Sequence, residues 1–469
     1  MSEKISPSER QSIHGQWSSR LAFILAVSGS AVGLGNIWKF PYITGVNGGG
    51  AFVLIYLLCI LAIGFPIMIS EIMLGRRGRR NPITSMELLG REETGSGVWK
   101  FVGVIGLVAG FLILSFYSVI AGWTLNYFIL SLKGTFTGLL APDVNQVFDN
   151  LNQSFSTQLI FHTIFMVVTI LIIAKGIRQG LERVVIVLMP ALFFILIILL
   201  FYVISQGNIS EGFTFMFKPD FTKIDGNSVL AAMGHAFFTL SLGMGCVVAY
   251  GAYLPKQESI FKTTFAIIIC DTLIALVAGL VVFSIVFDNN LDPSQIAGAG
   301  LIFKTLPLAF GQMPSGVFFA SIFFVLLGFA ALTSAISLLE PSVAWMIERK
   351  NLTRGLAAII MGTIIWALGL FTVLSGNALS DFIFWKGTLF DNFDHLASNI
   401  LLPTSGFLFT VFAGWFMSKK SSADELDIKR HNPLAASDHN FQYKFWRFLA
   451  RYVAPIAVLI IFLNAIGMY

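Results

Sequence analysis

The chain has 469 residues, 56% of them hydrophobic and only 12% charged, with 46 phenylalanines and a formal net charge of +5. Soluble domains carry charge on roughly a quarter of their residues, so a soluble globular protein is excluded. Nucleic acid is not an expected partner either, because the basic residues are spread over short loops and form no single patch. Apolar runs recur from end to end, each reaching the roughly 18 residues needed to cross a hydrocarbon core about 30 Å thick. The fold class is all-α, a polytopic membrane protein in contact with lipid.

In chain order, the first stretch, MSEKISPSERQSIHGQWSSR, is polar and lacks the apolar core of a signal peptide. Residues 1–19 therefore read as a cytoplasmic tail. Spans follow at about 20–46, 50–75, 99–132, 157–175, 183–205, 228–254, 262–287, 315–347, 354–374, 388–417 and 444–467, eleven in all. Cys59, Cys246 and Cys270 fall inside them without CxxC pairing and read as small apolar residues. Arg76, Arg77, Arg79 and Arg80 follow the second span, and Lys175, Arg183, Lys262, Arg349 and Lys420 lie on the same side. Loops on the other side carry Asp143, Asp149, Asp220 and Asp288. The positive-inside rule puts the N-terminus in the cytoplasm and, for an odd number of spans, the C-terminus outside. One membrane domain is expected, a core over 20–417 made of halves at about 20–205 and 228–417. A cytoplasmic linker, 418–443, and an eleventh helix within 444–469 complete it.

Two spans are built poorly as helices. The first contains AVSGSAVGLGNIWKFP, residues 26–41, and the sixth GHAFFTLSLGMGCVVAY, residues 234–250. Each helical glycine costs about 1 kcal/mol relative to alanine. Unpaired backbone groups in lipid cost several kcal/mol, so such breaks persist only facing protein or water. The breaks open two successive groups of five spans, and paired interruptions at corresponding positions point to a transporter with inverted repeats and its binding site. Freed carbonyls suit a small cation, and amides at a half-helix N-terminus suit a carboxylate.

Polar residues lie at matching depth. Asp271 is about nine residues beyond Lys262, roughly 14 Å at 1.5 Å per residue, near the bilayer midplane. A carboxylate there needs a cation or a proton; the alternative is a protonated Asp271 bonded to a neighbouring helix. Thr333 and Ser334, in GFAALTSAIS, have the plainer reading of hydroxyls bonded back to the preceding turn.

The stretches GSAVGLGNIWKFP, NGGGAFVLIY, FYSVIAGWTL, FFTLSLGMG and ALTSAIS resemble the neurotransmitter:sodium symporters, in particular their bacterial amino-acid-transporting branch, from about Trp17 to the last span. The resemblance implies two five-helix inverted repeats with helices one and six broken, a bacterial inner-membrane location, and two sodium ions. The first ion would use the Ala31 carbonyl, Asn36, Thr239, Asp271 and the carboxylate of the substrate. The second would use the carbonyls of Gly29, Val32 and Ala330 with the hydroxyls of Thr333 and Ser334, against the plainer reading of those two residues. Substrate carboxylate would meet the Leu34 and Gly35 amides and Tyr117, and its amino group the carbonyls of Phe238, Thr239 and Ser241. Ile113, Phe238, Met244 and Leu338 would form the side-chain pocket, with Ser334 and Ser30 at its edge. Relatives that carry monoamines have an acid at the position of Ser30, so the hydroxyl there implies a neutral hydrophobic amino acid, aromatic ones included given the flexible Met244.

Asp271 stands where the family more often has Asn. A fixed carboxylate beside two sodium ions implies that chloride is not required. His235 replaces a common Gln, with a structural and a proton-linked role both open. For the gates, the resemblance implies an outer pair of Lys39 and Asp394 with Phe238 as lid. It implies an inner gate with Trp17 and the acid Glu348, whose usual Arg partner is replaced by His14, leaving Arg10, Arg20 or a weaker gate as alternatives. Gly180 and Pro190 match a glycine–nine–proline motif that lets the fifth helix unwind. The expected function is sodium-coupled import by alternating access, with no covalent chemistry; the rivals are a proton-coupled carrier and a non-transporting amino-acid receptor.

Overall fold

The structure, a computed structural model, describes residues 10–206, 209–289, 298, 300–426, 436–465 and 467–468. Residues 1–9 of the expected tail and 427–435 of the expected linker lie outside the described residues. Its main helices are α1 Arg20–Ala31, α2 Gly35–Val46, α3 Gly50–Gly78, α4 Gly97–Leu132, α5 Phe155–Ala174 and α6 Ile177–Ser205. They continue as α7 Gly226–Thr239, α8 Cys246–Gly251, α9 Ile260–Asp288, α10 Gly316–Lys350, α11 Arg354–Ser375, α12 Leu389–Phe416 and α13 Phe441–Ala465. Among the described residues the only pairing of extended backbone is one isolated bridge, Phe384 to Gly387.

Among the described residues, nine continuous helices are long and apolar enough to span a bilayer, and the pair α1–α2, bent by 51°, makes ten. The remaining expected span is α7 with α8, interrupted over residues 240–245. Helix α1 starts because the Ser19 hydroxyl accepts from Ala22 N at 3.1 Å, satisfying an orphan donor of the first turn. It stops at Val32, whose ψ of 97° is extended.

Several helices outrun their expected ends. Helix α3 continues through Arg76 and Arg77 to a left-handed cap at Arg79. Charge alone suggests a loop there, but Arg76 is buried, its Nε donating to Glu425 at 2.6 Å and its Nη1 to the Glu258 carbonyl at 2.5 Å. The π-helical turn Ile177–Glu182 likewise extends α6 below its expected start. The long helix α10 packs along α4, and α11 packs on α5 and α4. Around the breaks, α6, α9 and α10 pack on α1, α9 also packs on α2, and α3 packs on α7 and α8, so both breaks face protein.

Candidate functional site: the broken helices

The two breaks keep their backbone groups satisfied from neighbouring helices. In the α7–α8 break, Ser241, Gly243 and Gly245 all have positive φ. At Gly243 a Cβ would sit 2.5 Å from the Leu402 carbonyl oxygen, so only glycine fits. Its amide donates to Glu71 Oε1 of α3 at 2.7 Å, and its carbonyl accepts from Ser405 of α12. Glu71 is fully buried, and it was not among the residues singled out from sequence. A lone acid inside an apolar span is by itself a functional signal. Glu71→Ala leaves the Gly243 amide unpaired at about 1–3 kcal/mol. We expect it to weaken substrate binding roughly tenfold or more, while Glu71→Gln, which keeps an acceptor, stays within about threefold; equilibrium binding of a labelled amino acid measures both.

Across the break, α1–α2 meets α9. Asn36 Nδ2 donates to Asp271 Oδ1 at 2.7 Å and to the Asp271 carbonyl at 3.2 Å, and Asn36 Oδ1 accepts from Gly33 N at 3.1 Å. The second Asp271 carboxylate oxygen and the Thr239 hydroxyl are buried without a hydrogen-bond partner. Buried acceptors left unpaired are costly, and anionic and neutral oxygens collected in a dry site suit a hard cation. The residues expected to hold a first sodium thus fit the ion by their chemistry. His235 packs against Phe40 and Tyr56, with ring centroids 5.9 and 5.3 Å away. Both its ring nitrogens and the Tyr56 hydroxyl are buried without a partner.

The second expected cation set also converges. The Ser334 hydroxyl reaches from α10 to the carbonyls of Gly29 and Ser30, at 3.4 and 3.1 Å. Thr333 Oγ1 donates to Ala330 O at 3.0 Å and to Phe329 O at 3.2 Å. The plainer reading therefore describes Thr333, although its lone pairs stay available to a cation, whereas Ser334 crosses to the first helix. Val32 stands at the end of α1 beside them. Gly29 is tight: a Cβ would lie 3.2 Å from both Met189 Sδ and Thr333 Cβ.

Above these sets lies a small cavity of about 30 Å³, room for little more than a water molecule. Ten of the eleven residues expected to hold substrate line it: Ser30, Gly35, Ile113, Tyr117, Phe238, Thr239, Ser241, Met244, Ser334 and Leu338. Leu34 is the exception, and its amide instead donates to the Tyr117 hydroxyl at 3.3 Å. Ala31 and Gly33 also line the space. Ser30 turns its hydroxyl to Ser337 at 2.7 Å, and Ser241 donates to the Ser30 carbonyl at 2.8 Å.

The gates differ from expectation in two ways. Lys39 and Asp394 form no ion pair among the described residues. The Lys39 ammonium sits 4.2 Å from the Phe238 ring centroid, where the ring quadrupole attracts it. Asp394 accepts from Ser398 one turn along its own helix, at 2.7 Å. At the other end Arg10 and Arg20 do not replace the missing arginine: Arg10 pairs with Glu92, and Arg20 lies 3.9 Å from Glu258. His14 itself bonds Glu348, at 2.9 Å, and Asn81 donates to the same carboxylate from N and Nδ2. The Trp17 indole is buried and donates to Tyr250 O at 3.2 Å, sealing this end. Trp17→Ala is expected to remove about 3–5 kcal/mol of stability, read as a lowered thermal midpoint in detergent. Gly180 lies in the π-helical turn of α6, where a Cβ would meet the Ile172 carbonyl at 2.1 Å, and Pro190 lies inside the same helix.

Two spans broken at one level, with cation-binding oxygens and a pocket between them, define a membrane transporter that binds its solute within the bilayer. A family model described as the sodium:neurotransmitter symporter family matches residues 14–139 and 143–469. The chain is 37% identical over 452 residues to an uncharacterized sodium-dependent transporter, YhdH, of Bacillus subtilis, covering 96% of this chain and 98% of the relative. It is 26% identical to the sodium-dependent serotonin transporter of Drosophila melanogaster, over 97% of this chain and 76% of that one. Among solved structures, MhsT in complex with L-phenylalanine matches with a TM-score of 0.86 and 40% identity, covering 96% of this chain and 99% of the other. The chain belongs to the sodium:neurotransmitter symporter family: it is a multi-pass, sodium-coupled membrane transporter, and not an enzyme.

Proposed function

We propose that the protein imports neutral hydrophobic L-amino acids, aromatic ones included, with two sodium ions per cycle and no need for chloride. The observation that carries this reading is the cavity at the two breaks, where Ile113, Phe238, Met244 and Leu338 supply an apolar wall and no acid faces a side-chain amine. The L-phenylalanine bound by MhsT, a structural relative at 40% identity, supports the same substrate class. The cavity is small because Phe238 and Lys39 close over it; substrate entry requires that lid to lift, and Met244 to adjust. Sodium at Asn36, Thr239 and Asp271 completes its shell with the substrate carboxylate, so ion and substrate bind together. The Asp271 carboxylate offsets the second positive charge, the role that a bound anion would otherwise fill.

The arginine-rich end, sealed by Trp17, His14 and Glu348, faces the cytoplasm in this reading, in a bacterial inner membrane. Residues 20–205 and 228–417 act as two repeats, and opening at Gly180 and Pro190 releases the second sodium inward. Uptake into proteoliposomes along a sodium gradient tests the proposal. Leucine, phenylalanine and tryptophan should accumulate, and lysine, glutamate and dopamine should not. Accumulation of an amine, or uptake driven equally by a proton gradient without sodium, contradicts it.

A further inference from the structure

Outside the transport site, a surface cavity of about 760 Å³ opens between the last turn of α5 and the first turns of α6. Its floor is formed where the two helices approach so closely that Gly180 can carry no Cβ. At its mouth stand Lys175, Gln179 and Arg183, all exposed. Further along the same groove the lining is apolar: Ile172, Val187 and Leu188. Arg183 and Val187, four residues apart in the α-helical part of α6, share a face that changes from cationic to apolar with depth. Val187 is 61% exposed.

Among the described residues no carboxylate lies within ion-pair reach of Lys175 or Arg183. The acid next to them in sequence, Glu182, is turned away and bonded by the Ser18 amide at 3.0 Å and by its hydroxyl. The neighbouring Arg178 is also engaged, donating to the Gln16 carbonyl at 3.2 Å. The groove therefore presents two unopposed cations and an amide at one end of the α5–α6 pair, above an apolar channel that runs toward the middle of the spans. Basic pockets between spans on the cytoplasmic side recognise anionic headgroups, and long cationic side chains at helix ends reach that level.

We propose that this groove is a binding site for one anionic phospholipid, its phosphate held by Lys175, Gln179 and Arg183 and one acyl chain lying along Ile172, Val187 and Leu188. A zwitterionic lipid offers no net charge to balance the two cations and binds more weakly. The inference depends on the proposed orientation only in assigning the lipid to the inner leaflet. It is independent of which amino acid is carried.

Native mass spectrometry of the purified full-length protein, titrated with phosphatidylglycerol or phosphatidylcholine, tests it. The unaltered chain should retain one phosphatidylglycerol in preference to phosphatidylcholine. Each surface cation contributes roughly fivefold to affinity for anionic lipid, so Lys175→Gln with Arg183→Gln should raise the half-saturating concentration about thirtyfold. Arg349→Gln with Lys350→Gln makes the same charge change at the same end and should leave retention within about twofold. Val187→Trp fills the channel with both cations intact and should also displace the lipid.

Equal retention of the two lipids, or an equal loss in the Arg349/Lys350 variant, overturns the proposal. Displacement by glycerol phosphate at matching concentration also overturns it, by showing a simple phosphate site. Sodium-dependent amino-acid binding, read on the same samples, separates a failure of this site from a failure of the transport reading.

Discussion

Replacing Asp271 by alanine is expected to weaken apparent sodium affinity at least thirtyfold and to abolish sodium-driven uptake. Asp271 is fully buried; one carboxylate oxygen accepts from Asn36 at 2.7 Å and the other has no hydrogen-bond partner beside the equally unpartnered Thr239 hydroxyl. A carboxylate and a cation about 4 Å apart attract by about 4 kcal/mol at an effective dielectric of 20. About half of that is lost to the desolvation that any bound ion requires. The remaining ~2 kcal/mol corresponds to the thirtyfold change. Asp271→Asn separates charge from shape. It keeps one oxygen toward the ion, and the residue-271 main-chain carbonyl still accepts from Asn36, but it removes the negative charge that offsets two sodium ions. Its binding should therefore be restored in part by chloride and not by gluconate. Chloride-independent binding by the Asn variant contradicts this account of charge balance.

The second large effect is expected at Gly33. A Cβ there would sit 2.5 Å from Ser334 Oγ and 2.9 Å from the Tyr117 hydroxyl. The first helix, α4 and α10 close on the break at this one point, so a methyl must displace the Ser334 and Tyr117 hydroxyls, both of which line the cavity. Gly33→Ala should lower substrate affinity more than a hundredfold, an effect on the order of 3 kcal/mol, with the protein still folded by thermal shift. Gly234 supplies the contrast: nothing lies within 4 Å of its Cβ position, and it lies within α7. Gly234→Ala should leave binding unchanged and add about 0.5–1 kcal/mol of stability.

The breaks themselves were legible in the sequence, because glycines and polar residues stand out against apolar helix. Asp271 follows as a carboxylate that a membrane interior does not tolerate alone, whereas Asn36 and Thr239 enter as its partners only through the family resemblance. Glu71 obeys the same logic, standing inside the second span four residues before its expected end, and only its bond to the Gly243 amide shows what it serves. The helix runs on past Glu71 because Arg76 finds Glu425 and Glu258, partners 349 and 182 residues away that no local pattern reveals.

Lys39 and Asp394 were paired by resemblance. Whether a gate pair touches depends on which state of the cycle is occupied, and Phe238 offers the ammonium another partner. At the opposite gate the resemblance implies an arginine as the partner of Glu348. Glu348 needs only donors, which His14 and Asn81 supply. Gly180 was read as a hinge, and the close α5–α6 approach gives it a packing role as well.

The most direct test is equilibrium binding of radiolabelled leucine and tryptophan to purified protein in sodium or potassium, each with chloride or gluconate. Saturable binding of both amino acids in sodium, lost in potassium and equal in the two anions, is the predicted result. Binding that is equal in potassium, or that requires chloride, contradicts the role given to the oxygens around Asp271.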